Sequence, residues 1–165
     1  MRISLPEIVA FLSIAGIAAG NSAVNNPDSM KISVEPGNGP NQFRIVLANI
    51  SRQPVRIWKE QCSWGYEAFA LEVKSGDKPP QLIKPRTISW RRNLPQFRTL
   101  EPGEKYTLNY GADDWPGLLT AGKQRLQIRA HYTVRSDEDA TRANVWTGHV
   151  QSEWTELEFE AAAQR

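Results

Sequence analysis

Cys62, His131 and His149 are the residues of this chain whose types suit metal or nucleophile chemistry, and their spacing decides against the familiar forms of either. A copper site of the Cys/His type needs a second His shortly after the Cys, so that one loop wraps the ion. Here both His lie far beyond Cys62 and no Met follows them. A closed zinc site needs four ligands, whereas these residues fall on separate predicted strands. Nucleophilic catalysis finds no G-x-S-x-G turn, and Cys62 stands in Gln61-Cys62-Ser63-Trp64-Gly65-Tyr66 with no His nearby in sequence. Cys62 is expected to be a small buried thiol, and His131 an exposed or half-exposed side chain on the polar parity of its strand. Asp113 and Asp114 with Glu101 or Glu104 offer oxygens for calcium, but without a defined loop pattern they read as a helix cap. No catalytic, cofactor or metal residue is therefore assigned, and the chain is not expected to be an enzyme.

Recognition chemistry is better represented. Six Trp is high for 165 residues. Trp58, Trp64, Trp90 and Trp115 fall in or beside loops and an edge segment, where aromatic faces can stack on sugar rings or anchor a protein partner. Against this stands ordinary burial, for which Trp64, Trp146 and Trp154 are natural core or corner residues. Tyr66, Arg91 and Arg92 join the four Trp as the expected binding set. Lys84, Arg86, Arg91, Arg92 and Arg98, interleaved with Trp90 and Phe97, are the nearest approach to a basic patch. The formal charge is only +2 and the charges are interspersed, so this reads as a solvated sheet edge and not as a nucleic-acid site.

The chain has the length of one domain, and 40% hydrophobic residues suit a single packed core. Arg2 followed by the apolar run from Ile8 to Ala19 reads as an export signal, too short to span a bilayer as a relaxed helix. Cleavage is expected near residues 19–23, although Pro6 and Glu7 oppose insertion; an uncleaved anchor or a buried N-terminal helix are the alternatives. This places the mature domain in a periplasmic or extracellular space with no stable membrane span. A lone Cys in such a space forms no intramolecular disulfide, so stability must come from the core.

The elements that must position these residues are strands. Residues 24–29 read as a flexible leader, and a first alternating strand starts at Met30. Phe43, Ile45 and Leu47 mark a second strand, and Val55 and Ile57 a third, interrupted from Glu60 to Gly65. The run from Ala68 to Val73 is apolar on both faces and predicts a central, covered strand. Prolines demote the segment from Gln81 to Arg98 to an edge strand plus loop. Tyr106, Leu108 and Tyr110 mark another strand, followed by a short helical turn near Asp113. Leu126, Ile128, Ala130, Tyr132 and Val134 then alternate through a long strand with the period of two. Ser136 to Asn144 reads as a surface loop with room for one helical turn. Trp146, Val150 and Trp154 share one parity and Leu157 and Phe159 the other, which predicts a bulge or bend near Glu153. The expected architecture is an all-β, immunoglobulin-like or fibronectin-like Greek-key β-sandwich of seven to eight strands over residues 30–160, with a tail over 161–165.

The pattern Leu100-x-Pro102-Gly103-Glu104, then Trp115, then Gly122-x-x-Arg125-Leu126-x-Ile128-x-Ala130 resembles the closing half of immunoglobulin-like bacterial domains. Among these it is most similar to the bacterial intracellular proteinase inhibitor type. The resemblance covers about a third of the chain and implies the sandwich fold more strongly than a function. The apparent export signal departs from that family, and no inhibitory loop carries over residue by residue. The expected function is that of an exported, non-catalytic binding module. Protein recognition through Glu60 to Gly65 and Gln81 to Arg98 stands first. A carbohydrate-binding role for exposed Trp residues and a proteinase-inhibitor-like role are the alternatives.

Overall fold

The computed structural model describes residues 27–119 and 122–161. The export segment, the start of the leader and residues 162–165 lie outside the described residues. Pro27–Ser29, within the expected leader, forms a 3-10 turn with Ser29 buried, and the Ser29 carbonyl accepts the Ile50 N–H at 2.9 Å.

Ten strands are present among the described residues, all paired antiparallel. β1 (Met30–Pro36), β2 (Gln42–Asn49) and a later strand, β7 (Lys105–Gly111), form one sheet in the order β1-β2-β7. β3 (Val55–Trp58) pairs with β6 (Phe97–Leu100). The remaining sheet has the order β10-β8-β4-β5, from β4 (Phe69–Lys74), β5 (Gln81–Ile83), β8 (Gly122–Val134) and β10 (Thr155–Ala161), and β9 (Gly148–Gln151) also pairs with β8. The count exceeds the expected seven or eight because two predicted strands are each divided. Proline-rich chain separates β5 from β6, and the last strand breaks into β9 and β10.

That break is the predicted bulge. Gln151 opposes His131 while Thr155 opposes Ile128, so three residues of the outer chain face two of β8. The extra residue inverts the parity and lets Leu157 and Phe159 turn inward after the break. Ser152 fills the gap, its hydroxyl accepting the Ala130 N–H at 3.0 Å.

Alternation on β8 buries Leu126, Ile128, Ala130, Tyr132 and Val134, which meet Ile32, Val34, Phe43, Ile45 and Leu47 in the core. β4 lies inside its sheet between β8 and β5, and Phe69, Ala70 and Leu71 are buried in succession, as a strand apolar on both faces requires. Two helices are short: α1 (Ser63–Tyr66) and α2 (Glu138–Ala143). Asp137 caps α2 by accepting the Ala140 N–H at 2.8 Å, and Asn144 ends it in the left-handed region at φ 51°. Near β7 a 3-10 turn over Ala112–Asp114 is closed by the Asp114 carboxylate, which accepts the Gly111 N–H at 2.8 Å. Asp114 thus caps a turn, in keeping with the reading of that acidic pair.

Candidate functional site

Two segments expected to form the recognition surface come together across one groove of about 660 Å³, within the range of ligand and peptide sites. Its floor is Trp58, Ala68 and Val134 at the ends of β3, β4 and β8; one wall is α1 and the other is the chain from Lys84 to Trp90.

The α1 wall is formed by a tight reversal after β3. Cys62 is fully buried there, its thiol donating to the Lys59 carbonyl at 3.2 Å, and the Cys62 N–H donates to the same oxygen at 3.3 Å. Burial with the Lys59 carbonyl at 3.2 Å and the Gln96 carbonyl at 3.6 Å from Sγ is a structural environment for a thiol, as the sequence suggested. Gly65 passes so close to this reversal that a Cβ would stand 2.1 Å from the Lys59 oxygen. Gly65→Ala is therefore expected to displace α1 and lower the unfolding free energy by about 1–3 kcal/mol, measured by urea denaturation. A midpoint equal to that of the wild type would show that the reversal tolerates a side chain.

The opposite wall, which carries Pro85, lacks ladder partners, so side chains and turns brace it. The Arg86 N–H donates to the Asp114 carbonyl at 2.7 Å and its guanidinium to the Asp113 carbonyl at 2.8 Å. Across the groove, the Tyr66 hydroxyl donates to the Arg86 carbonyl at 2.7 Å. Burial, reinforced by Asp114, raises the Tyr66 phenol above its ordinary pKa, so it remains a donor. Asn93 ties the segment to α1, donating to the Ser63 hydroxyl at 2.6 Å and accepting the Ser63 N–H at 3.0 Å.

The expected binding residues divide between groove, surface and core. Trp64 and Trp90 are half-buried lining residues. Trp64 leans on Trp58 with ring centroids 5.9 Å apart and donates its indole N–H to Asp139 at 3.1 Å. Trp90 meets Tyr66 edge-on at 5.9 Å. Arg91 and Arg92 are exposed just beyond Trp90 and do not line the groove. Two expectations are corrected. Trp58 is 2% exposed, because as the last residue of β3 it points between the sheets; it supports the groove but presents no open face. Trp115 is 1% exposed and packs on Phe43 and Tyr110, closing the end of the core where a loop residue was expected to be free.

Exposed large apolar side chains fall mostly in the adjoining edge segment, where Ile88 is the one that lines the groove. Leu82, Ile88, Leu94 and Phe97 are 63%, 40%, 68% and 46% exposed, and Ile50 is the remaining such residue among those described. β5, the last strand of its sheet, presents an edge only three residues long.

A second polar constellation lies on β4, β8 and β9. Arg129 donates to Glu72 through Nε at 3.0 Å and Nη2 at 2.5 Å, and its guanidinium lies 4.6 Å from the centre of the Trp154 ring. His131 Nε2 stands 3.2 Å from Glu72 Oε2, and His131 Nδ1 stands 3.0 Å from His149 Nε2. The two His were read as separate residues; only the register, with Ala70 opposite His131 and Thr133 opposite His149, reveals that they meet. Arg129, hydrogen-bonded to Glu72, holds that carboxyl below its ordinary value, helped by His131. Stability from a depressed carboxylate is present above its unfolded pKa of about 4.3 and lost as pH falls through the lower folded value. Glu72→Gln should thus destabilise by about 1 kcal/mol at pH 7. The gap should close on acidification below pH 4, followed by thermal unfolding at each pH; a gap independent of pH would contradict the pairing.

Neither His lines the groove. Among the described residues, no group of three or more His, Cys, Asp or Glu side chains is arranged to hold a metal ion. No described helix is long and apolar enough to cross a membrane. No protein-family model and no curated protein sequence matches the chain.

Proposed function

We propose that the protein is an exported, non-catalytic module with an immunoglobulin-like Greek-key sandwich, and that it recognises a protein partner through the α1 groove and the adjoining edge segment. The sheet orders β1-β2-β7 and β10-β8-β4-β5 support the topology, since both join strands distant in sequence. One observation carries the functional reading: the half-buried aromatics Trp64 and Trp90 line a braced groove, and the adjoining segment from Gln81 to Arg98 holds four of the five large apolar side chains left exposed among the described residues. Aromatic anchors in a pocket, ringed by apolar and polar contacts, are what protein hot spots require. Bracing by Arg86, Tyr66 and Asn93 lowers the ordering cost of binding.

Ring orientation favours protein over sugar. A sugar platform is best served by coplanar open faces, but Trp64 is backed by buried Trp58 and Trp90 meets Tyr66 at 77°. The same bracing supports a proteinase-inhibitor-like role as second reading, because inhibitors present exposed loops held rigid before binding.

Immobilised protein exposed to the host's own envelope extract, with retained proteins and glycans identified by mass spectrometry, tests these readings. One protein retained through repeated washing supports recognition, and an inhibited proteinase as that protein supports the second reading. Enrichment of glycans alone overturns both.

A further inference from the structure

We propose that His131 and His149 form a chelating site for a borderline divalent transition ion, with Cu²⁺ the tightest, oriented by Glu72 and completed by water. The His131 Nδ1 to His149 Nε2 separation is 3.0 Å. Two nitrogens on one ion at about 2.0–2.1 Å, bound at a roughly right or tetrahedral angle, stand about 2.8–3.4 Å apart. The strands therefore already hold the two donors near the spacing one ion requires.

Glu72 fixes which nitrogen of His131 is free. A carboxylate only accepts, so the contact of 3.2 Å to Glu72 Oε2 places the ring proton on Nε2 and leaves the Nδ1 lone pair facing His149. This is the outer-shell arrangement in which a carboxylate orients a metal-binding imidazole. In the empty pair His149 Nε2–H donates to that lone pair. Metal binding moves the His149 proton to Nδ1 through solvent, and the two rings, which meet almost head-on with centroids 5.3 Å apart, turn so that both nitrogens face the ion with no net proton lost. His149 is exposed, which gives the ion access and leaves room for water ligands. Arg129 is paired to Glu72, so the two formal charges beside the site offset each other.

The groups facing His131 are Glu72 on β4, Arg129 on its own strand and His149 on β9. Imidazole is a ligand suited to copper, nickel and zinc, and affinity for a nitrogen site rises to a maximum at Cu²⁺.

Cu²⁺ titrated into the intact protein at pH 7.5, followed by calorimetry and electron paramagnetic resonance, tests the assignment. The expected result is one ion per chain with coupling to two nitrogens, weakened at least tenfold by either His131→Gln or His149→Gln. Glu72→Gln should weaken it to a smaller extent, with both His nitrogens still coupled. Circular dichroism on each variant confirms the fold. Ordinary affinity in a folded variant lacking both His, or no binding to the wild type at 100 µM total Cu²⁺, a level of about 10⁻⁴ M, overturns the proposal.

Discussion

Trp146→Ala should lower the unfolding free energy by about 3–5 kcal/mol, the range for deleting a large aromatic from a core that collapses incompletely. Trp146 is fully buried, and its ring stacks on Tyr132 with centroids 5.8 Å apart and planes at 19°. The chain beyond it depends on the same ring. A Cβ at Gly148 would stand 2.9 Å from Trp146 Cζ2, and Gly148 adopts φ 147°, so β9 begins only because glycine lets the backbone lie against the indole. Removing the ring leaves a cavity next to Tyr132 and loosens the start of β9. Domains of this size have about 5–15 kcal/mol in total, so the loss is a large fraction of stability. Chemical denaturation measures it. Trp154→Ala is the comparison: Trp154 is half-buried over Arg129, and its removal should cost about 1 kcal/mol. Equal effects of the two substitutions would contradict the assignment of Trp146 to the core and Trp154 to the surface.

Trp90→Ala should weaken partner binding by about 30-fold or more, the loss of at least about 2 kcal/mol that marks a hot-spot aromatic. Stability should change by less than about 1 kcal/mol, because Trp90 contacts Tyr66 at the groove wall and does not enter the core. Calorimetry on the captured partner reads the first quantity and thermal unfolding the second. Trp64→Ala separates the contributions differently. Its indole N–H donates to Asp139 and its ring covers Trp58, so both binding and stability should fall. Unchanged affinity in Trp90→Ala would remove the groove from the recognition surface.

Parity made the framework legible. The run from Leu126 to Val134 displays which face is inside, and the parity change between Trp146 and Phe159 required the one-residue bulge found at 152–154. The interruption from Glu60 to Gly65 and the proline-rich edge were legible as breaks, and they form the two groove walls. What local pattern cannot convey is which breaks face each other. Trp58 and Trp115 stand beside turns, where exposure is a fair expectation, yet the end of β3 and the 3-10 turn after β7 direct both rings inward. The His131–His149–Glu72 constellation depends on cross-strand register between β4, β8 and β9, a long-range property invisible to the spacing of His and Glu along the chain.

The central claim is that the groove and its edge segment touch a protein. Site-specific photo-crosslinking in the native host tests it most directly, with a photoreactive benzophenone side chain placed at Ile88, at Leu94 and, as a control on another face, at Trp154. Irradiation should join one and the same partner to positions 88 and 94 and leave position 154 unlinked. Adducts from position 154 alone, or none from 88 and 94 in a folded and expressed protein, would contradict a recognition surface at this groove.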